Sequence, residues 1–244
     1  MDWYENWFGS PFYKILYQNR DDYEAQEFIE HLLEYLQPSP GSTMLDIACG
    51  EGRFAKQLAE HDFDVTGIDI SHPSIETAKV YENEHLQFFV HDMRFPFYIN
   101  YFDYAFNFFT SFGYFANNRD HALAARSFAA ALKPNGILVI DYFNYEQVIA
   151  NLVPEDIVHR GNYTFHVKKK IENKHIVKEI SFTDEDKKER HYNESVAAFA
   201  LTDFIKMFKT ADMSLVGTFG DYQHNPYHPT DSPRLIMIFK KKYA

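Results

Sequence analysis

Apolar positions along this chain alternate between two spacings. Ala25, Phe28, Ile29, Leu32, Leu33 and Leu36 recur at i, i+3, i+4 and i+7, the period of a helix with one buried face. Asp21 and Asp22 stand at its start, where carboxylates suit the positive end of a helix, and Gln37-Pro38-Ser39-Pro40-Gly41 stops it. A continuous apolar run then leads through Met44-Leu45-Asp46-Ile47 into Ala48-Cys49-Gly50-Glu51-Gly52, and helical spacing resumes at Phe54, Ala55, Leu58 and Ala59. That order reads as strand, tight turn, helix. Val65-Thr66-Gly67-Ile68-Asp69 reads as a second strand, and Ser71-His72-Pro73 opens a helix that runs roughly through Ala78 to Tyr81.

The alternation continues. Leu86 to His91 predicts a third strand ending in Asp92-Met93, and Phe102 to Phe109 a fourth leading into Thr110-Ser111-Phe112-Gly113-Tyr114-Phe115. A helix from Arg119 to Leu132 gives way to a Lys133-Pro134-Asn135-Gly136 turn and a strand from Ile137 to Phe143, which its continuous apolar run predicts to be fully buried. From 154 to 198 the texture changes to polar-interleaved segments of partial period two, which predicts an antiparallel meander inserted after the fifth strand. Thr202-Asp203 caps a helix through Phe204, Ile205, Phe208 and Ala211, and Leu215–Phe219 with Arg234–Lys240 closes the chain as a hairpin. The expectation is one doubly wound α/β domain over residues 1–244, with an aromatic lid at 1–20 and a β substrate cap at 154–198.

Composition narrows the partners. With 45% hydrophobic and 24% charged residues the chain fits a soluble globular protein, and its 18% aromatic content supplies both core and ligand-facing rings. The formal net charge of -11 disfavours nucleic acid and anionic membranes, because the long-range field repels phosphate. The short basic runs Lys168-Lys169-Lys170 and Lys240-Lys241-Lys242 read as solvated strand ends. A single cysteine excludes an internal disulfide and a cysteine-bound zinc, and the start of the chain lacks the pattern of a secretory signal. A cytoplasmic location is expected, with a homodimer left open.

The chemistry concentrates at the first strand's end. Gly50 permits the sharp turn, Gly52 is expected to let the backbone lie against a ligand, and Ala55 lets the helix pack close to the strand. Asp69, ending the second strand, can accept hydrogen bonds from both hydroxyls of a ribose. A dinucleotide's pyrophosphate would be repelled by Asp46, whereas a sulfonium and an amino group would be attracted. S-adenosylmethionine carries both, plus an adenosine.

The run Leu45-Asp46-Ile47-Ala48-Cys49-Gly50-Glu51-Gly52 resembles the glycine-rich motif of class I S-adenosylmethionine-dependent methyltransferases, a Rossmann-like fold ending in an antiparallel hairpin strand. The resemblance implies that Asp46, Ala48, Cys49, Gly50 and Gly52 line the methionyl portion, Asp69 and Ile70 the ribose, and Asp92 and Met93 the adenine. It implies an N-terminal helix closing over the cofactor, with Tyr13, Tyr17 and Arg20 meeting its carboxylate or the substrate. It also places Asn107, Phe108, Ser111 and Tyr114 at the reacting methyl, at the fourth strand's end. The Thr-Ser-Phe-Gly-Tyr-Phe segment resembles enzymes of this class that act on small molecules and lacks the Asn/Asp-Pro-Pro-Tyr/Phe arrangement of amino-methylating DNA enzymes.

Methyl transfer from a sulfonium is an in-line displacement, for which holding the nucleophile near the methyl supplies most of the effect. Should a base be needed, Tyr114, Tyr222 and His224, with His228, are the candidates by type and loop location. Pro226 between His224 and His228 breaks the helix a metal pair would need, and Asp141 with Asn144 offers only two oxygens, so no metal is expected. The leading expectation is methyl transfer to a small-molecule nitrogen or oxygen, releasing S-adenosylhomocysteine. An NAD-dependent Rossmann oxidoreductase and a non-catalytic S-adenosylmethionine-binding module are the alternatives.

Overall fold

The structure, a computed structural model, describes residues 3–18 and 22–242. Two short helices come first, α1 (Trp3–Phe8) and α2 (Pro11–Leu16), the second capped by Ser10, whose Oγ accepts from the Tyr13 N–H at 3.2 Å. The amphipathic α3 (Asp22–Leu36) leads into β1 (Thr43–Ile47), α4 (Arg53–Ala59), β2 (Asp64–Asp69), α5 (His72–Ala78) and β3 (Leu86–Val90). A 3-10 turn over Lys79–Tyr81 extends α5, so the helical stretch from 72 to 81 matches the sequence pattern. Then come β4 (Phe102–Asn107), α6 (Asn118–Ala131), β5 (Leu132–Phe143) and α7 (Tyr145–Ala150), the last not expected from the sequence.

The inserted segment forms β6 (Glu155–Arg160), β7 (Tyr163–Glu172), β8 (His175–Thr183) and β9 (Glu189–Ala197), an antiparallel sheet of order β6-β7-β8-β9. The chain finishes with α8 (Leu201–Lys209), β10 (Met213–Phe219) and β11 (Arg234–Lys241). The N-cap of α8 is Ala200 rather than Thr202-Asp203; Asp203 lies one turn in and accepts from the Ala200 N–H at 3.0 Å.

The main sheet has seven strands in the order β10-β11-β5-β4-β1-β2-β3. Its parallel part is β5-β4-β1-β2-β3, and β11 runs antiparallel to both β5 and β10, which is the reversed strand expected of the closing hairpin. Strand order turns back between β1 and β4, and ligands of such sheets bind beyond the carboxyl ends at that point. The Lys133-Pro134-Asn135-Gly136 turn lies inside β5 as an irregularity, where Leu132 to Ile137 spans the same length as Phe102 to Tyr104 on β4.

Helices cover both faces, and strand residues divide between them with period two. Along β11, Leu235, Met237 and Phe239 join a core with Phe128 of α6 and Phe204 and Phe208 of α8, while Ile236 and Ile238 join Phe28, Leu32 and Leu58 on the α3 and α4 side. A third core ties the ends of the fold together: Trp7 and Leu16 pack on Phe165, Val167, Ile180 and Phe182 of the inserted sheet. The lysines of β7 are solvated as expected but lie within the strand, where Lys168 pairs with Glu155, Lys169 with Asp156 and Lys170 with Glu179.

Candidate active site

A cavity of about 440 Å³ opens at the carboxyl ends of β1, β2 and β4. Its floor is the turn after β1. Ala48, Gly50 and Gly52 all adopt left-handed backbone, with φ of 61°, 57° and 81°. The turn is held by the Cys49 N–H on the Ile68 carbonyl and the Gly52 N–H on the Cys49 carbonyl, each at 3.0 Å. A Cβ built on Gly50 meets none of the described residues within 4 Å, so among them this glycine faces open space. On Gly52 it would lie 2.5 Å from the Phe88 ring. The expected division of labour is thus reversed: Gly50 leaves room for a ligand, and Gly52 lets α4 pack on β3.

Two carboxylates bracket that turn. Asp46 lies on the α4 face of β1 and is buried, and its Oδ2 has no partner among the described residues. Burial pushes its carboxyl up to about 7 against a hydrogen bond from the Ala55 N–H, with neighbouring Asp69 raising it further and Arg53 opposing. Asp69 ends β2 and accepts from the Gly50 N–H at 2.9 Å and the Ser71 N–H at 2.7 Å; burial raises its carboxyl as well. An orphaned buried carboxylate oxygen beside a second acid, with no Cβ at Gly50, fits a ligand that brings positive charge and hydroxyl donors. Farther along, Asp92 is gripped by Arg94, whose Nε and Nη2 donate to Oδ2 at 2.9 and 2.6 Å.

Rings wall the rest. Phe108, Phe109, Ser111, Tyr114 and Phe115 come from the segment after β4. Opposite them α1 and α2 present Tyr4, Phe8 and Tyr13, with Tyr17 just past the end of α2, and the Phe8 and Tyr114 centroids stand 5.0 Å apart. Tyr17 is fixed from behind, donating to Glu194 Oε1 of β9 at 2.8 Å and accepting from Lys178 of β8 at 3.0 Å. Trp7 Nε1 donates to the same carboxylate at 2.7 Å, so the helices over the cleft and the inserted sheet share one buried acid. Lys14 pairs with Glu51 of the glycine turn, and the Arg53 guanidinium sits 4.9 Å from the ring centroids of both Phe54 and Phe109.

A family model described as a methyltransferase domain matches residues 17–214. The chain belongs to this methyltransferase family. Its fold is that of class I S-adenosylmethionine-dependent methyltransferases. Among curated relatives, the putative methyltransferase YqeM of Bacillus subtilis is 36% identical over 104 residues, 40% of this chain and 41% of that protein. The matched stretches span 20% and 41% of the length of the curated relatives. Among solved structures, an S-adenosylmethionine-dependent methyltransferase from Clostridium acetobutylicum superposes with a TM-score of 0.79 at 17% identity, covering 98% of this chain and 99% of that one. The S-adenosylmethionine-bound CalS10 of Micromonospora echinaspora, an amino pentose methyltransferase, superposes at 0.67 with 16% identity over 92% and 93% of the two chains. These structural likenesses are likenesses of fold. Family membership sets aside the NAD-dependent oxidoreductase alternative.

In the methyltransferase, Tyr17, Asp46, Ala48, Cys49, Gly50, Asp69, Ile70, Asp92, Met93, Phe108 and Tyr114 all line the one cleft. Arg20 lies outside the described residues. Gly52 is turned to packing, as above. Asn107 is buried behind the wall, its Nδ2 donating to the Ile47 carbonyl at 3.0 Å, which ties β4 to β1. Tyr222 and His224 do not reach the cleft. Tyr222 is buried against Phe28, with centroids 4.6 Å apart, and donates to Asp141 at 3.1 Å. His224 stacks on Phe219 at 4.2 Å, and burial holds its imidazole down to about 4, with His31 adding to the effect. Asp141 and Asn144 serve structure too: Asp141 pairs with Arg234, and Asn144 Nδ2 donates to the Pro229 and Ser232 carbonyls, both at 2.7 Å. The sequence reading passed over Glu51, Arg53, Phe54 and Phe109. Arg53 and Phe54, next to the motif, were the legible signal for a cleft-facing start of α4.

Proposed function

We propose that the protein transfers the methyl of S-adenosylmethionine to a nitrogen or oxygen of a small molecule that enters between the segment after β4 and helices α1 and α2. The observation that carries this reading is the makeup of the cleft, where Phe8, Tyr13, Phe109 and Tyr114 wall the space beside a floor that holds the acids Asp46 and Asp69. Such a surface suits a compact, partly apolar acceptor, and an amine in particular, since rings attract ammonium and the acids supply the complementary field. The fold likeness to an amino pentose methyltransferase points the same way.

Bound over Asp46, Gly50 and Asp69, the cofactor supplies an already activated methyl carbon. The chain's own contribution is to exclude water and align the acceptor, for which α1, α2 and the inserted sheet act as the cap that selects the substrate. Tyr114 brings a hydroxyl to that space, as do Tyr13 and Ser111. The lone cysteine and net negative charge suit a cytoplasmic enzyme that handles neither nucleic acid nor membranes. A panel of amines, phenols and carboxylates scored for S-adenosylhomocysteine release tests the reading. Turnover confined to amines or hydroxyls supports it, and tight cofactor binding with no turnover across the panel would favour a non-catalytic binding module.

A further inference from the structure

In a doubly wound sheet a crossover between parallel strands normally carries a helix that covers their face. Between β3 and β4 the chain crosses without one, through the irregular residues 91–101. Gln87 and Phe89 of β3, which alternate with the buried Leu86 and Phe88, are left exposed on that face. The stretch Phe95-Pro96-Phe97-Tyr98-Ile99-Asn100-Tyr101-Phe102 contains no charged residue, in a chain of net charge -11. Ring contacts link it to β3: centroids stand 5.5 Å apart for Phe89 and Phe97, 4.8 Å for Phe97 and Tyr98, and 4.8 Å for Tyr98 and Tyr101. Phe89 is 37% exposed, and Phe95, Tyr98, Ile99 and Tyr101 are 58, 52, 61 and 47% exposed. This is a built surface and not a slack loop. The Asn100 and Tyr101 N–H groups donate to the Ala130 and Ala131 carbonyls of α6 at 2.8 and 2.9 Å, and Ser127 Oγ donates to the Phe95 carbonyl at 2.6 Å.

We infer that this face is the contact between two copies of the chain, packed about a two-fold axis. Area is the first argument. An aromatic side chain buries about 150–250 Å², so the exposed parts of these five residues come to about 500 Å² per copy. Two copies then bury about 1,000 Å², the least that a specific interface needs. Charge is the second argument. The negative field of one copy repels another across most of the surface, but a two-fold axis here sets an uncharged stretch against itself. An anionic membrane would meet the same repulsion without that match. The copies join through side chains and not by adding strand to strand, because the Phe88 N–H of the edge strand β3 already donates to Glu82 Oε1 at 2.9 Å. The face reaches down to the amino end of β1, where Thr43 Oγ1 donates to the Tyr101 carbonyl at 2.9 Å, at the opposite end of the sheet from the glycine turn. The inference rests on neither the cofactor nor the acceptor.

The test is sedimentation velocity on the intact protein from about 1 to about 100 μM at physiological salt. The wild type is expected to reach twice the 28.8 kDa of the chain at the upper end and to dissociate on dilution. Tyr98→Glu and Ile99→Arg should each weaken association by at least about thirtyfold, because each brings like charges from both copies into an apolar contact. Their opposite signs separate this effect from a change in net charge. Val216→Glu, at an exposed valine of β10 on the far edge of the sheet, should leave the dimer in place. Hydrogen exchange across residues 95–101 should slow as the wild-type concentration rises. A wild type that stays monomeric at about 100 μM overturns the inference, as does a dimer that Tyr98→Glu and Ile99→Arg leave intact. Monomeric wild type that binds vesicles of neutral phosphatidylcholine, with binding lost in Tyr98→Glu, overturns it in favour of a membrane surface. Thermal unfolding shows whether each variant is folded, and if one is not, the other decides.

Discussion

Asp46→Asn is expected to make the cofactor-free methyltransferase more stable at neutral pH and worse at binding its cofactor. In the unfolded chain the Asp46 carboxyl ionises near 3.9, whereas in the fold burial and Asp69 push it up to about 7. Between those values the unfolded state holds fewer protons than the native one, so stability falls as pH rises. The penalty is absent below about pH 4 and complete above about pH 7, where a shift of roughly three units corresponds to about 4 kcal/mol. Asparagine keeps the shape and an acceptor for the Ala55 N–H without the charge. Urea denaturation of both proteins should therefore give curves that diverge, the variant's advantage growing by about 2.5 kcal/mol between pH 5 and pH 8. The same linkage makes wild-type affinity for S-adenosylmethionine tighten about tenfold from pH 6 to pH 8, a dependence the variant lacks. Stability profiles that run parallel across this range would show that Asp46 is not a buried, unpaired acid, and the electrostatic reading of the floor would fall.

Asp69→Ala should weaken S-adenosylmethionine binding by about 1 to 3 kcal/mol through lost hydrogen bonds, and a calorimetric Kd equal to wild type would remove Asp69 from the site. His121, buried among Phe112, Phe115 and Phe199, has its imidazole held down to about 4 by burial. Its unfolded counterpart takes up a proton near 6.5, so stability is lost as pH falls from 6.5 towards 4. About 2 kcal/mol of that loss at pH 5 should be missing from the stability profile of His121→Leu, and an equal acid slope in both proteins would refute it. Gly52→Ala, which drives a Cβ into Phe88 at positive φ, should cost about 2 to 4 kcal/mol of stability in thermal or urea unfolding. Gly50→Ala should cost only about 1 kcal/mol yet weaken cofactor binding more, and a reversal of that order would restore the sequence-based assignment of the two glycines.

The glycine motif and the alternation of strands and helices were legible because each is local: Asp46 to Ala55 fold back within one βα unit, and β11 shows its two-faced burial in consecutive residues. The inserted meander was legible for the same reason. What was not legible depends on partners far along the chain. Trp7, Tyr17, Lys178 and Glu194 meet across more than 160 residues, and no periodicity announces that the aromatic start of the chain and the inserted sheet share a core. Tyr222 and His224 looked chemical by residue type and loop position, but α3 decides their direction, turning one onto Phe28 and Asp141 and packing Tyr35 edge-on to the other. Asp141 illustrates the converse. An acid in an apolar strand stands out in sequence, while its task of accepting from the Phe109 N–H and pairing with Arg234 spans 32 and 93 residues.

The central claim is that the acidic, glycine-floored cleft holds a sulfonium-bearing nucleoside rather than a pyrophosphate-bearing one. Titration calorimetry of the intact protein with S-adenosylmethionine and, separately, with NAD measures this directly. Saturable one-site binding of S-adenosylmethionine that is weakened by Asp69→Ala, with no heat from NAD, is the predicted result. Saturable NAD binding with none for S-adenosylmethionine would contradict the account.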